Sequence, residues 1–133
     1  MKPENNWLYK TLENLEKDKW RDYDFETRLV RRCHELRKIP LDNFTVEDLR
    51  IMIGQQIGLD YLVLIALDKL KENLWAEGDY FEGDLLKNVL EVPRDFWKKN
   101  KNLWLKLCGL IDGKKAELEE MKIDVLKFYQ SNP

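Results

Sequence analysis

The sequence predicts an all-α protein, a single-domain irregular bundle of about six or seven helices. Apolar side chains recur every three or four residues through most of the chain, as they do on the buried face of a helix. No convincing run alternates with the period of two that marks a half-buried strand. No Gly- or Pro-rich linker, repeat or low-complexity segment divides the 133 residues, so we expect one domain spanning residues 1–133.

The first two predicted helices are separated by a polar stretch. The first has an apolar face of three leucines: Leu8, Leu12 and Leu15. The second begins after Asp24, whose carboxylate can accept an unpaired backbone N–H, and it runs to about Lys38, before Pro40. Its apolar face has four members at helical spacing: Phe25, Leu29, Cys33 and Leu36.

A capped helix and a longer apolar helix follow. Thr45 with an acid three residues later, Asp48, predicts a helix start. The buried face of this helix comprises Val46, Leu49, Met52 and Ile53. Gly54 and Gly58 frame a predicted break. The stretch 59–70 is the most apolar of the chain, and its length and charged continuation favour a helix buried on most sides over a strand.

The second half of the chain begins with a loop at residues 73–82, after which Gly83-Asp84 opens a short helix. The inward side of that helix comprises Leu85, Leu86, Val89 and Leu90. From residue 96 to 111 the apolar residues form one stripe, which is a single helix unless Asn100 caps a second one. Asp112-Gly113 is a turn signal. One last amphipathic helix carries Leu118, Met121, Val125 and Phe128.

Composition excludes several classes of protein. The hydrophobic content of 44% is too high for a disordered chain, and 23 basic against 25 acidic residues argue against general nucleic-acid binding. The longest apolar run, Leu62 to Leu67, is far shorter than the roughly 20 residues that span a bilayer. The first six residues contain no apolar signal core, and two cysteines are too few for a disulfide framework. We therefore expect a cytoplasmic protein that does not bind membranes.

The charges are balanced overall but form local patches. Residues 28–38 contain five bases and one acid, and residues 94–106 contain the same numbers. Residues 72–84 contain five acids and no base. Each basic patch is explained by a solvated helix face, although the first would also suit a helical adaptor or regulatory protein that binds a host protein or nucleic acid.

No motif in the sequence predicts catalysis. Cys33 and His34 are neighbours on a predicted helix and point about 100° apart, so they cannot meet as a nucleophile and its base. We expect Cys33 to be a buried structural thiol and His34 to be exposed or partnered. Residues 79–84 resemble a calcium loop but have Asp84 where glycine is needed. We expect no enzyme, metal or cofactor; an enzyme using the carboxylates of residues 77–84 is the remaining alternative.

The loop that ends at the predicted short helix is the candidate partner-binding site. Its candidate residues combine aromatic rings with carboxylates: Trp75, Glu77, Asp79, Tyr80, Phe81, Glu82 and Asp84. Aromatic anchors supply binding energy, and carboxylates steer and pair a basic partner. Alternatively, Trp75 and Phe81 fold back into the core while Asp79 and Asp84 cap the next helix. The two arrangements can coexist.

Several ordered motifs carry a resemblance to a known family. The longest is Pro40-Leu41-x-x-Phe44-Thr45-Val46-Glu47-Asp48-Leu49-Arg50-Ile51-Met52-Ile53-Gly54-Gln55. It is followed by Gly58-Leu59-x-Tyr61-Leu62, Ala66-Leu67, Ala76-Glu77-Gly78-Asp79 and Gly83-Asp84-Leu85-Leu86. Two earlier stretches, residues 11–16 and 29–37, are similar too. From about residue 11 to 107 the chain resembles a family of contact-dependent growth inhibition (CDI) immunity proteins.

This resemblance implies a partner and a mode of action. Such proteins are small and cytoplasmic, and each binds the C-terminal toxin domain of a cognate CDI effector delivered by a neighbouring bacterium. Many of these toxins are nucleases, tRNases among them. Inhibition implies a tight 1:1 complex that blocks the active site or substrate groove without catalysis. Acids in the candidate loop would then replace phosphates, with an affinity that depends on salt; the helix at 28–38 and the final helix are other possible contact surfaces.

Overall fold

The computed structural model describes residues 5–21 and 27–133. Within these residues every regular element is helical, and no strand occurs. These described residues form nine α-helices: α1 (Leu12–Glu16), α2 (Arg28–Leu36), α3 (Val46–Gly54), α4 (Leu59–Glu72), α5 (Asp84–Leu90), α6 (Arg94–Lys99), α7 (Lys101–Ile111), α8 (Lys115–Glu120) and α9 (Leu126–Gln130). Two single-turn 3-10 helices comprise Trp7–Tyr9 and Leu41–Asn43. The predicted all-α class is confirmed.

The N-terminal helices are shorter than their apolar patterns suggest. Thr11 caps α1 by accepting the backbone N–H of Asn14 at 3.2 Å, so Leu8 lies before the helix in a 3-10 turn and is 39% exposed. Thr27 caps α2, which leaves Leu29 in its first turn and 41% exposed. The expectation that Leu8 belongs to the first helix was wrong, and Leu29, although it lies in α2, is exposed. The predicted cap Asp24 and Phe25 lie outside the described residues.

α3 and α4 form the centre of the bundle. The predicted start of α3 is confirmed: Thr45 Oγ1 accepts the Asp48 N–H at 3.1 Å, and Asp48 Oδ2 accepts the Thr45 N–H at 3.0 Å. The predicted break is also confirmed, because α3 ends at Gly54 and Gly58 adopts a left-handed φ of 66° before α4. α3 packs against α2, α4 and α5, and α4 packs against α5 and α7 as well.

The stripe from residue 96 to 111 is divided into two helices. Asn100, with φ −135° and ψ 52°, separates α6 from α7, and its side-chain amide donates to the Phe96 carbonyl at 3.0 Å rather than capping α7. Asn100 thus marks a helix start through its backbone conformation. The sequence left open one helix or two over this stripe, and the alternative of two helices is correct.

The C-terminal residues form two short helices where the sequence predicts one. Lys122 adopts a left-handed φ of 59°, which ends the helical path between α8 and α9. The centroid of the Phe128 ring lies 5.2 Å from that of Trp104, in a stacked pair, and 5.7 Å from that of Trp97, in a T-shaped pair. The Trp104 indole N–H also donates to the Phe128 carbonyl at 3.2 Å. These contacts fix α9 against α6 and α7.

The buried Arg37 ties the N-terminal residues to the end of α2. Its guanidinium pairs with Glu16, donates to the Asp18 carbonyl and lies 4.4 Å from the ring centroid of Trp20. The Arg37 carbonyl accepts the Glu13 N–H at 3.2 Å. One of the five bases of residues 28–38 is therefore part of the interior.

Two glycine-to-alanine substitutions should change stability in opposite directions. A Cβ at Gly58 would lie 2.8 Å from Leu12 Cδ1 on a backbone with positive φ, so Gly58→Ala should destabilise by about 1–2 kcal/mol or more. At Gly109, inside α7, no described atom outside the helix comes within 4 Å, so Gly109→Ala should stabilise by about 0.5–1 kcal/mol. Urea unfolding measures both; equal effects would contradict this fold.

Candidate partner-binding site

The candidate loop, residues 73–83 between α4 and α5, exposes most of the predicted contact residues. Tyr80 is 72% exposed and Phe81 41% exposed, so neither ring is buried in the core. Trp75 is half-buried and packs against the core. The carboxylates expected to contact a partner are exposed in three cases: Glu77, Asp79 and Glu82. Of the alternative arrangement, only the packing of Trp75 is confirmed: Phe81 does not fold back into the core, and α5 follows Gly83 with no side-chain cap, so the expectation that Asp79 and Asp84 cap it was wrong.

Asp84 supports the loop from inside. Its side chain is 2% exposed, and its oxygens accept the backbone N–H groups of Gly78 at 2.7 Å, Tyr80 at 3.1 Å and Phe81 at 3.3 Å. Three neighbouring amides thus converge on one carboxylate at the first residue of α5. Asp84 cannot reach a docked partner in this conformation, so its place in the site is that of a positioning residue.

A second carboxylate, Glu47 on α3, holds the remaining part of the loop. Glu47 Oε1 accepts the Asp79 N–H at 2.9 Å. Both oxygens of Glu47 also accept from Arg50, at 2.6 Å from Nε and 2.6 Å from Nη2. The bidentate geometry is the strong form of an arginine–carboxylate pair. The loop is therefore attached to the central helix by charged groups.

Arg50 connects the two carboxylates to the exposed ring of Tyr80. Its Nε lies 3.8 Å from Asp84 Oδ2, and its guanidinium carbon lies 4.2 Å from the centroid of the Tyr80 ring. This is the distance of a cation–π contact. Tyr80 is thus exposed to solvent on one face and held by a cation on the other.

The pKa shifts of this pair follow from the same contacts. The hydrogen bonds from Arg50 lower the pKa of Glu47 most strongly, and they outweigh the opposing effect of burial. The N–H of Asp79 lowers the pKa of Glu47 further. In turn, the hydrogen bonds to Glu47 raise the pKa of Arg50.

Glycine is required at two loop positions by their surroundings. A Cβ on Gly78 would lie 2.5 Å from Glu47 Oε1, so a side chain there would push the carboxylate away. Gly83 has a φ of +90°, and its N–H donates to the Trp75 carbonyl at 3.1 Å, which closes the loop at its base. The Ala-Glu-Gly-Asp and Gly-Asp-Leu-Leu motifs therefore have a local physical reason.

Sequence reasoning did not single out Glu47 and Arg50 as parts of the site. They lie about 30 residues before the loop, in a motif read as a helix start. The available signal was an acid and a base three residues apart in α3, which pair across one helical turn. Nothing in that spacing specifies which distant loop the pair holds.

The cysteine and histidine of the sequence analysis are placed away from this loop. Cys33 is 4% exposed, as expected, and burial raises the pKa of its thiol. His34 is 7% exposed, and its ring centroid lies 4.9 Å from that of Trp20 in a T-shaped arrangement, so it is partnered. No cluster of three or more potential metal ligands occurs within residues 5–21 and 27–133.

The basic patch of residues 28–38 is weaker than its composition suggests. Arg37 is buried, and Arg32 pairs with the buried Asp48 on α3 at 3.1 Å. Arg28 and Arg31 remain exposed. Of the five bases, Arg37 is therefore withdrawn from the surface, and Arg32 is paired with an acid while 41% of its side chain stays exposed.

Comparison with known proteins identifies a family. A model described as CDI immunity proteins matches residues 14–107. Curated proteins give no match, and solved structures give none. None of the helices in the described part of the chain is long and apolar enough to cross a membrane.

Replacing Glu47 by glutamine should destabilise the protein in a pH-dependent way. The substitution removes the charge that pairs with Arg50, and we expect a loss of about 1.5–3 kcal/mol at pH 7. Because folding lowers the pKa of Glu47, its contribution is present above the ordinary value of 4.5 and is lost as the pH falls through the lower folded value.

Urea unfolding of wild type and Glu47→Gln between pH 7 and pH 3 tests this. The difference in free energy of unfolding should shrink towards acid. Glu120→Gln, at an exposed position on α8, is the control and should leave stability nearly unchanged. A Glu47→Gln difference that is constant across this range would contradict the assignment.

Proposed function

Because the chain belongs to the family of CDI immunity proteins, whose members neutralise a CDI toxin, we propose that it binds the C-terminal toxin domain of one cognate CDI effector in a 1:1 complex. The complex forms in the cytoplasm and blocks the active site or substrate groove of the toxin. We further propose that the toxin is a nuclease, with a tRNase as the narrower case. No catalysis by this chain is involved.

The observation that carries this proposal is the rigid, acidic and aromatic surface of the loop at residues 73–83. Four consecutive amides, from Gly78 to Phe81, are held by two carboxylates. A loop that is already ordered loses less conformational entropy when it docks. The exposed rings of Tyr80 and Phe81 therefore suit the role of binding anchors.

The charge of the loop favours a partner with a basic cleft. Glu77 and Glu82 are exposed, and neither forms an ion pair with any part of the chain that the structure describes. A nuclease must offer positive charge to the phosphates of its substrate. Carboxylates on an inhibitor loop can occupy the same positive surface, and they accelerate association at low salt.

The chemistry of the other candidate groups agrees with a binding protein. Cys33 is a buried thiol with a raised pKa, and His34 packs against Trp20, so neither offers a reactive group to a substrate. In the competing proposal, an adaptor uses residues 28–38 to bind nucleic acid, but one of the five cations there, Arg37, is buried against Glu16 and a second, Arg32, is paired with Asp48. Toxin neutralisation is therefore the function we favour.

Co-expression with the open reading frame immediately upstream tests the proposed role. If that frame encodes the toxin domain, its expression alone should stop growth, and co-expression of this chain should restore growth and give a co-purifying 1:1 complex. A toxin that remains fully active with this protein in excess would contradict the proposal. Binding of this protein to RNA or DNA, weakening steeply with salt, would favour the adaptor instead.

Substitutions in the loop should separate anchoring from electrostatic steering. Tyr80→Ala should weaken toxin binding at least thirtyfold, on the order of 2 kcal/mol, mainly through faster dissociation. Glu77→Gln with Glu82→Gln should slow association about tenfold at low salt and flatten its salt dependence. Surface plasmon resonance at several salt concentrations measures both rates.

The matched controls place the same chemical changes elsewhere on the surface. Tyr9→Ala removes a ring that is 70% exposed in the N-terminal 3-10 turn. Asp42→Asn with Glu120→Gln removes two exposed charges outside the loop. If the controls and the loop variants had equal effects, the loop would not be the contact surface, although neutralisation itself would still stand on the co-expression result.

A further inference from the structure

An open apolar groove lies in the part of the chain that follows the family match. It has a volume of about 460 Å³ and is formed by the end of α7 together with α8, α9 and the turn between them. Its apolar walls comprise Ile111, Leu118, Ile123, Val125 and Tyr129. Tyr129 is 45% exposed, and Leu126, next to Val125, is 60% exposed. The groove is large enough for a bulky side chain from another molecule.

The walls of the groove are fixed in place. Phe128, adjacent to Tyr129, is fully buried and stacks on Trp104, whose indole N–H donates to the Phe128 carbonyl. On the opposite wall, Leu118 is 4% exposed, and the Ile123 N–H donates to its carbonyl at 2.9 Å. A groove with rigid walls can accept a side chain at little conformational cost.

One side chain links the groove to the candidate loop. A Cβ on Gly83 would lie 2.8 Å from Ile123 Cδ1 and 3.7 Å from Trp75 Cε3. The side chain of Ile123 therefore lies against the base of the loop and also lines the groove. The groove and the loop are thus neighbours in the fold, although about 40 residues separate Ile123 from Gly83 in the sequence.

The rim of the groove carries an excess of negative charge. Three acids, Asp112, Glu119 and Asp124, and one base, Lys115, surround the apolar walls. The loop beside it is acidic as well. A second copy of this chain, docked symmetrically, would bring like charges together on both surfaces. The charge instead complements a segment with an apolar side chain flanked by basic residues.

We propose that this groove is a second contact site for the same toxin domain, and that it takes a protruding apolar side chain flanked by lysine or arginine. The inference rests on the proposed function and extends it. The loop then supplies contacts from within the family match, and the C-terminal groove supplies contacts that belong to the extension of this chain.

Charge reversal at one face of α8 tests the proposal. Glu119 lines the groove, whereas the neighbouring Glu120 is exposed and does not line it. The probe is the toxin domain from the upstream frame, and its binding is measured by calorimetry at low salt. Glu119→Arg should raise the Kd at least tenfold. Glu120→Arg should change the Kd less than twofold. Tyr129→Ala should weaken binding about tenfold or more, with Tyr9→Ala as its control.

The outcomes separate the groove from the proposed function. If Tyr80→Ala weakens binding while Glu119→Arg matches Glu120→Arg and Tyr129→Ala matches Tyr9→Ala, the groove proposal is overturned and neutralisation stands. If wild type does not bind the toxin domain at all, both fall. If sedimentation finds the free protein dimeric and Glu119→Arg monomeric, a second copy occupies the groove and the proposal is overturned.

Discussion

The structure of the candidate site depends on two carboxylates that bind a loop through its backbone. Glu47 and Asp84 together accept four consecutive N–H groups, and the guanidinium of Arg50 pairs with Glu47 and lies 3.8 Å from Asp84. A loop without regular structure would otherwise leave these amides to water. The backbone from Gly78 to Phe81 is therefore held by charged side chains on α3 and α5. This also fixes the positions from which the rings of Tyr80 and Phe81 project.

A protein of net charge −2 can still present a locally acidic surface. Arg37 is buried against Glu16, Arg32 pairs with the buried Asp48 while staying partly exposed, and Arg50 lies beneath Tyr80. Each of these bases is paired with an acid, so the internal pairs leave no excess of acid at the surface. The loop is acidic because residues 72–84 contain no base and its acids Glu77, Asp79 and Glu82 are exposed.

The parts of the fold that the sequence predicts are those set by near neighbours. The capping box of Thr45 and Asp48, the break before Gly58 and the start of α5 at Asp84 each depend on a few adjacent residues, and each was predicted. The split between α8 and α9 was not, because the apolar spacing through Leu118 and Phe128 continues across a left-handed Lys122. The support from Glu47 was missed because it is a contact between distant residues.

The candidate loop and the C-terminal groove lie in different parts of the sequence. The groups that hold the loop lie between residues 47 and 84, inside the family match, so any family member with the same groups can hold its loop in the same way. The residues that line the groove lie at or beyond Ile111, and Ile123 is the one that contacts the loop, at Gly83. Because Gly83 has no side chain, Ile123, in the segment between α8 and α9, can lie against the base of the loop. The C-terminal helices can in this way pack beside the candidate site without changing its support.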